Sequence, residues 1–552
     1  MPIHLCRRFR VLSGTAGPRL RVRCLAAALL VLAAAPCIRA SHAPNIRVDR
    51  DLNEFLLRLS VRHGLSLPQS FYCQPMHAND ILEFLDTADS LDAAGVLSAQ
   101  ESFRLKRARN IVTGKPNMFA VSRPAWELEN HVNASFYGEL VPSYDDSASV
   151  RAKGVLTPEL TGSIGRLSYF SGIDVWTELQ TDTTYYQSTY EPFDGIPYNL
   201  FGRPDSSTDP AIRSSDMLRA GIVLSLTHVE LETAIDYVRS GPATHYPLTF
   251  SGTAAPLTYF RGILDLGVFE YFHTFGLLRS QKDLDKFFYT HRLEVPLPRM
   301  HLLFGINESI VGGSTAPLAQ DDSLRAEYYG QERDWEWVYM IPFVPYAFAE
   351  HYVGDRDNSL LSFDVSLHVP RGFRWYAEFL LDDITTPVTI FSDDWGNKWG
   401  LTAGGEYFGV FARRDIHALL EYSRVEPWVY THFYGGSHRY THFGRSLGSP
   451  LGPNSAALVF QADIALHPAH TIGLLAKNVR TNAKARGGSI EDVFQRDVDS
   501  ETKEFLGAGT RRENTAGLFW KMTPFGAFTM TALGEYDTDG AIRLRAEGRL
   551  LF

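Results

Sequence analysis

The carboxy-terminal stretch Ala541 to Phe552, AIRLRAEGRLLF, constrains the fold of this 552-residue chain more than any other. Side chains of an extended strand alternate between its two faces. Ile542, Leu544, Ala546, Gly548, Leu550 and Phe552 therefore share one face, and Arg543, Arg545, Glu547 and Arg549 share the other. A strand that is apolar on one side and charged on the other needs two solvents. A transmembrane β-barrel supplies them, with lipid outside and a polar lumen within. An edge strand of a soluble sheet would also satisfy the pattern, so its recurrence upstream decides.

It recurs from about Val132 onward. Val132, Ala134, Phe136, Gly138 and Leu140 alternate with polar neighbours. So do Ile173, Val175, Thr177 and Leu179, then Val229, Leu231, Thr233, Ile235 and Tyr237. Leu361, Phe363, Val365, Leu367 and Val369 repeat it, as do Leu458, Phe460, Ala462, Ile464 and Leu466. Each run is close to the ~9–11 residues with which a tilted strand crosses a bilayer. A soluble sandwich uses shorter strands and rarely sustains the pattern so long. The mean hydropathy of -0.14 is too polar for a bundle of membrane helices, but a barrel hides its membrane signal in alternation. Abundant Phe, Tyr and Gly suit strands, interfacial girdles and tight turns.

The amino terminus reads as an export signal covering residues 1–40. Arg7, Arg8, Arg10, Arg19, Arg21 and Arg23 precede the apolar run Leu25 to Ala35, and no acidic residue occurs before Asp49. Cleavage after Ala40 removes Cys6, Cys24 and Cys37 and leaves Cys73 alone, which excludes a disulfide within the mature chain. It also takes the net charge from -10 to about -17, against a nucleic-acid partner.

Residues 41–129 read as a periplasmic helical bundle. Leu52, Phe55, Leu56 and Leu59 mark a first helix stopped by Gly64 and Pro68. Asn79 is the expected cap of a second, carrying Ile81, Leu82 and Leu85. Ser98 and Glu101 have the spacing of a capping box for a third, running to Val112. Residues 130–552 are left for the barrel. At roughly 45–50 residues per hairpin they predict about 16–18 antiparallel strands. Tyr185 to Asp216, Gly312 to Trp335, Asp382 to Lys398 and Arg480 to Arg512 are the expected outer loops. Val338 to Ala349 is apolar but holds Pro342 and Pro345, and is expected to be a kinked strand or a buried plug segment.

The stretch Glu421 to Ser455, EYSRVEPWVYTHFYGGSHRYTHFGRSLGSPLGPNS, is the most distinctive in chemistry. Tyr-Thr-His occurs at 430–432 and again at 440–442, around Gly435-Gly436. Aromatic faces stack on the apolar faces of sugar rings, and arginine forks grip carboxylates or phosphates. The mixture suits an extended acidic glycan, with Arg424, Trp428, Tyr430, His432, Arg439, Tyr440, His442 and Arg445 as the candidate contacts. The alternative is that the aromatics belong to a membrane girdle and the His and Arg line a wet lumen.

The runs EYSRVEPWVYTH and RYTHFGRSLGSPLGPNS, with PRMHLLFGINESIVGG at Pro298 to Gly313, resemble the capsule-assembly Wzi family. That resemblance implies an outer-membrane barrel with a periplasmic helical bundle, acting as a lectin that anchors capsular polysaccharide. The implied partners are surface polysaccharide, outer-membrane lipid and the barrel-assembly machinery. The rival is a porin-like channel for small solutes.

Several catalytic patterns fail on context, and no enzymatic role, cofactor or metal is expected; a hydrolase acting on surface glycan stays a second rival, because a glycosidase's two carboxylates need only meet in space. Gly444-Arg445-Ser446-Leu447-Gly448 matches G-x-S-x-G, but Pro450 and Pro453 follow where a nucleophile elbow needs a helix. His467 and His470 flank Pro468 and have no third ligand nearby. Ser366 stands where a calcium loop beginning at Asp355 would need its bidentate Glu.

Overall fold

The computed structural model describes residues 45–46, 49–113, 117–123, 126–141, 149–181, 211–280, 284–316, 329–369, 372–386, 388–525, 528–537 and 542–551. The export signal lies outside the described residues, as does most of the expected loop Tyr185 to Asp216. The strand Ala211–Ser225 takes over the end of that loop.

Eighteen antiparallel strands close into one barrel, the upper end of the expected range. The ring starts at Trp126–Val141, a few residues before the expected boundary. It is sealed where this strand pairs with Ile542–Leu551, Gly138 facing Ala546. Period-two alternation is what builds the wall. In Phe373–Asp383, Arg374, Tyr376, Glu378 and Leu380 are buried inward, while Phe373 and Trp375 stand exposed outside. In Asn358–Val369, Ser362, Asp364 and Ser366 point inward between outward Leu361, Phe363 and Val365. On the last strand Ile542 and Leu544 face out, and Arg545 turns in to pair with Glu139 and Glu535 at 3.1 and 2.8 Å. An outer wall with Leu518 73 % exposed is a liability in water and ordinary in lipid. Among the described residues no helix is long and apolar enough to cross a membrane.

Short turns such as 165–166, 412–413 and 468–469 gather at one end and long loops at the other. In bacterial barrels the short turns face the periplasm and the long loops the exterior. Three helices close the short-turn end: α1 (Arg50–His63), α2 (Ala78–Ala93) and α3 (Ala99–Val112). The Asp49 carboxylate accepts from Leu52 N–H at the start of α1, which ends on left-handed Gly64. The capping box of Ser98 and Glu101 forms as expected. Asn79, by contrast, is not a cap. His77 holds that position with no side-chain cap bond, because its ring turns to the barrel wall. Leu56, Ile81, Leu85 and Leu105 share a core that includes Phe408 of the wall. Ser98 Oγ bonds to Asp415, Lys521 to Asp51 (2.5 Å) and Arg549 to Asp49 (3.0 Å), which seats the bundle in the mouth.

Two segments enter the lumen. The chain between α1 and α2 supplies Cys73–Gln74 as one edge of a small three-stranded sheet. Its other strands, Arg239–Ser240 and Phe250–Ser251, come from residues 237–256. These link the short wall strands Val229–Asp236 and Leu257–Asp265 by bending inward. Wall carboxylates hold this hairpin. Glu421 accepts from the backbone N–H groups of Thr244, His245 and Tyr246, and Glu378 from those of Ala243 and Leu248. Above it an apolar cluster of Leu248, Phe250, Phe288, Leu380, Val429 and Tyr440 fills the upper lumen.

The segment Val338 to Ala349 corrects the sequence-based expectation: it is neither strand nor plug. It forms a 3-10 turn, Trp337–Met340, and a short helix α4 (Tyr346–Val353) lying on the outside of the barrel. Tyr339 and Tyr346 cover outward-facing Phe287, Tyr289 and Ile310. Beneath them His291 and Glu308 pair at 2.7 Å, and Glu308 also accepts from Tyr346 N–H. An ion pair on a lipid-facing wall needs such a cover. The prolines fit because the backbone here joins no ladder. Trp337, Phe343, Phe348 and Tyr352 remain exposed on the outer side of this flap.

Candidate functional site: the extracellular cap

Residues 426–454 leave the wall at Val425 and return at Ser455, closing the long-loop end from above. The backbone is held in an uncommon path. Trp428 and Tyr430 both adopt left-handed conformations, at φ 70° and 69°, which side-chain-bearing residues take up only when surrounding contacts enforce them. Those contacts are present. Trp428 N–H donates to Gly487 O (2.8 Å), and Tyr430 N–H to Asp382 Oδ2 (2.5 Å). The Tyr430 hydroxyl donates to Leu248 O (2.6 Å) and accepts from Ser449 N–H (3.1 Å), so one side chain joins the luminal hairpin to the cap.

The two Tyr-Thr-His repeats take different roles. Tyr430 and Tyr440 stack on each other, ring centres 5.7 Å apart, within the luminal core. His442 is buried, its Nδ1 accepting from Arg279 N–H (3.0 Å). His432 instead stays half-buried beside Phe433, at 4.4 Å, and stacks on buried His438 at 5.2 Å. Trp428 is buried under Arg486 and against Phe494. Of the eight candidate residues, Trp428, Tyr430, Tyr440 and His442 thus present no ring face to solvent and frame the loop.

Arg439, Arg445 and His432 are only partly buried. Arg439 forms an ion pair with Glu491 of the neighbouring loop 482–510. Arg424 is set apart: it points out of the wall at the rim, over Phe505 at 3.8 Å, and pairs with Glu426 at 2.6 Å. Sequence reasoning missed a second surface feature, the Trp395–Phe494 stack. Its rings lie 3.6 Å apart and 5° from parallel, and join the loops 384–397 and 482–510. Its members are 99 residues apart in number, so no local motif marks it.

Ser446 of the G-x-S-x-G match lies in a two-residue strand followed by turns, so no nucleophile elbow forms. His467 and His470 sit on a hairpin at the short-turn end, their rings 5.9 Å apart. Asp357 is spent on Arg333 and the Tyr339 hydroxyl.

Burial holds the buried loop histidines neutral. Desolvation pushes both His438 and His442 down to about 3; the nearby Lys286 ammonium adds to this at His442, whereas Asp357 opposes it at His438. A depressed histidine pKa makes the folded loop insensitive to pH above about 6.5 and destabilises it as pH falls below that value. Each histidine then costs about 1.4 kcal/mol per pH unit until its own folded pKa is reached. The cap should therefore loosen between pH 6.5 and about 3. Tryptophan fluorescence should report this as a red shift that is diminished in Trp428→Phe. A signal flat across that range would contradict the burial argument.

No protein-family model matches the sequence, and no curated protein matches it. Solved structures do. Wzi of Escherichia coli, a carbohydrate-binding β-barrel of the outer membrane involved in group 1 capsule assembly, superposes with a TM-score of 0.57 at 12% identity. The match covers 92% of this chain and 99% of that one. OccK8 (OprE) of Pseudomonas aeruginosa gives a TM-score of 0.40 at 8% identity, covering 77% of this chain and 98% of its own. A BenF-like porin of Pseudomonas fluorescens Pf-5 gives 0.41 at 8%, with the same coverage. At this identity the Wzi likeness shows the fold and no more. The closed ring of eighteen strands with its apolar outer wall makes the chain a β-barrel of the bacterial outer membrane.

Proposed function

We propose that this barrel is a lectin-like protein that binds and anchors a long acidic polysaccharide at the cell surface. The observation that carries this reading is the division of labour at the long-loop end. The lumen is occupied by the chain's own segments, a poor design for passing solutes, while the cap is tied down by backbone contacts and carries partly exposed arginine and aromatic side chains. His432, Phe433, Arg439 and Arg445 are the proposed contacts, with the Trp395–Phe494 stack as a neighbouring platform and Arg424 as a rim contact. Trp428, Tyr430, Tyr440 and His442 are assigned to holding those groups in place. Arginine–carboxylate forks confer preference for uronic or otherwise acidic sugars. The carbohydrate-binding Wzi barrel supports the same reading by analogy of fold.

The combined substitution His432→Ala, Arg439→Ala and Arg445→Ala should weaken retention of an acidic polysaccharide by about tenfold or more, the value of one or two charge-assisted hydrogen bonds. Heat-modifiable migration of the barrel should be unchanged, and wild-type binding should weaken with salt. Full retention by the folded triple variant would remove these residues from the site. Absence of binding to any acidic or neutral glycan by the wild type would remove the lectin reading itself.

A further inference from the structure

At the junction of bundle and wall, His77, Asp80 and Glu230 each bring one ligand atom to a common point, all within 4.8 Å of one another. His77 precedes α2, Asp80 lies in its first turn, and Glu230 belongs to the wall strand Val229–Asp236. The His77 side chain is fully buried. His77 Nδ1, Asp80 Oδ2 and Glu230 Oε2 are shielded from solvent, and none makes a well-aligned hydrogen bond, although Nδ1 and Oε2 form a close ion pair. Nδ1 and Oε2 are only 2.6 Å apart, yet their directions do not meet as donor and acceptor. Three such atoms converging in one place are costly unless something electropositive lies between them.

We infer that His77, Asp80 and Glu230 bind a divalent transition metal of the zinc class, which fastens the helical bundle to the barrel. One imidazole nitrogen and two carboxylate oxygens form a common three-ligand set for such ions, with the fourth position left to water. The imidazole favours zinc-like ions over magnesium or calcium. The surroundings orient the ligands. Ser225 Oγ donates to Glu230 Oε1 at 2.9 Å, which leaves Oε2 turned toward His77. Glu232 Oε2 lies 3.7 Å from His77 Nε2, on the far side of the ring. With the metal on Nδ1 the ring proton moves to Nε2, where this carboxylate faces it. Arg261, which neutralises Glu232 through contacts of 2.6 and 2.8 Å, also reaches to 3.5 Å from Nε2. With that pair cancelled, Asp80 and Glu230 supply the two negative charges that balance the ion. Bond lengths near ~2.0–2.1 Å place ligand atoms about 3.3 Å apart, so Nδ1 and Oε2 separate by less than about 1 Å on loading.

The test uses the full-length protein refolded in detergent with EDTA and then dialysed free of it. Titration with zinc chloride should show one saturable site per chain, and the thermal midpoint should rise on loading. Asp80→Asn, a mild change at a partly exposed residue, should lose the site and the rise. His77→Ala and Glu230→Gln should do the same, whereas His467→Ala with His470→Ala should keep both. Absence of stoichiometric uptake by the wild type would overturn the inference, leaving an ordinary His77–Glu230 ion pair. Uptake retained in Asp80→Asn and His77→Ala would overturn it equally. None of these readouts involves polysaccharide, so failure here and failure of the lectin reading are separate results.

Discussion

Replacing residues 240–251 by two glycines is expected to raise the current through a barrel that otherwise passes little, the helices and the cap at its two ends being left as the remaining barriers. The deletion is geometrically mild, because Arg239 already lies opposite Ser251 in the luminal sheet. It removes the hairpin whose N–H groups occupy Glu378 and Glu421 and whose Leu248 and Phe250 build the upper luminal core. A ring of eighteen strands emptied of such material encloses an aqueous passage. Planar-bilayer recording should therefore show conductance at least about tenfold above wild type. Glu421→Ala is the gentler form. It leaves the N–H groups of Thr244, His245 and Tyr246 without their acceptor, each at a cost of about 1–3 kcal/mol. It should give intermittent openings. Wild-type protein that conducts steadily and equals the deletion variant would show that the hairpin is no barrier, and would favour the porin-like alternative.

The second large effect is expected at Arg374. Its side chain is wholly buried, donates to Glu406 (2.8 Å), Ser366 (3.2 Å) and Pro242 O, and lies between the rings of Tyr72 and Tyr376. It thus joins the wall to both inserted segments. Arg374→Ala strands the Glu406 carboxylate and should cost about 3–5 kcal/mol. Arg374→Met with Glu406→Gln, which removes both charges while keeping volume, should recover much of that. Urea titration of the refolded barrel measures both. Equal midpoints for wild type and Arg374→Ala would mean that water already reaches this pair.

Much of the wall was legible in advance because lipid and lumen impose opposite demands on adjacent residues. Leu361 to Val369 and Val229 to Ile235 needed only parity to be placed. The helix stop at Gly64 and the box at Ser98 and Glu101 were legible for a similar reason, since each acts within one turn. The failures arose where partners are distant in sequence. Nothing near Pro342 discloses that its segment lies on the outer wall, because what it covers, Tyr289 and Glu308, belongs to other strands. The hairpin at 237–256 escaped notice because its ladder partners are Cys73 and Gln74. In the cap, residue types singled out the loop but not the orientation of its side chains. Tyr430 and His432 sit two apart, and the left-handed turn at Tyr430 sends one into the core and leaves the other near the surface.

The route of the chain between His63 and Ala78 has a mechanical corollary. This excursion goes in and comes out through the same mouth, held inside by the two-residue rung Cys73–Gln74, by the Tyr72 contacts to Gly241 N–H and Ser366, and by Arg261 donating to Cys73 O and Pro75 O. Tension on the amino terminus can therefore draw the helical module away like a cork without parting the seam between Trp126–Val141 and Ile542–Leu551. The module stays leashed to the ring through the stretch between Val112 and Trp126, where Phe119–Arg123 is already stitched to the first strand. Leashed in this way, a withdrawn cork meets its own socket at an effective concentration of order millimolar and reseats without a search.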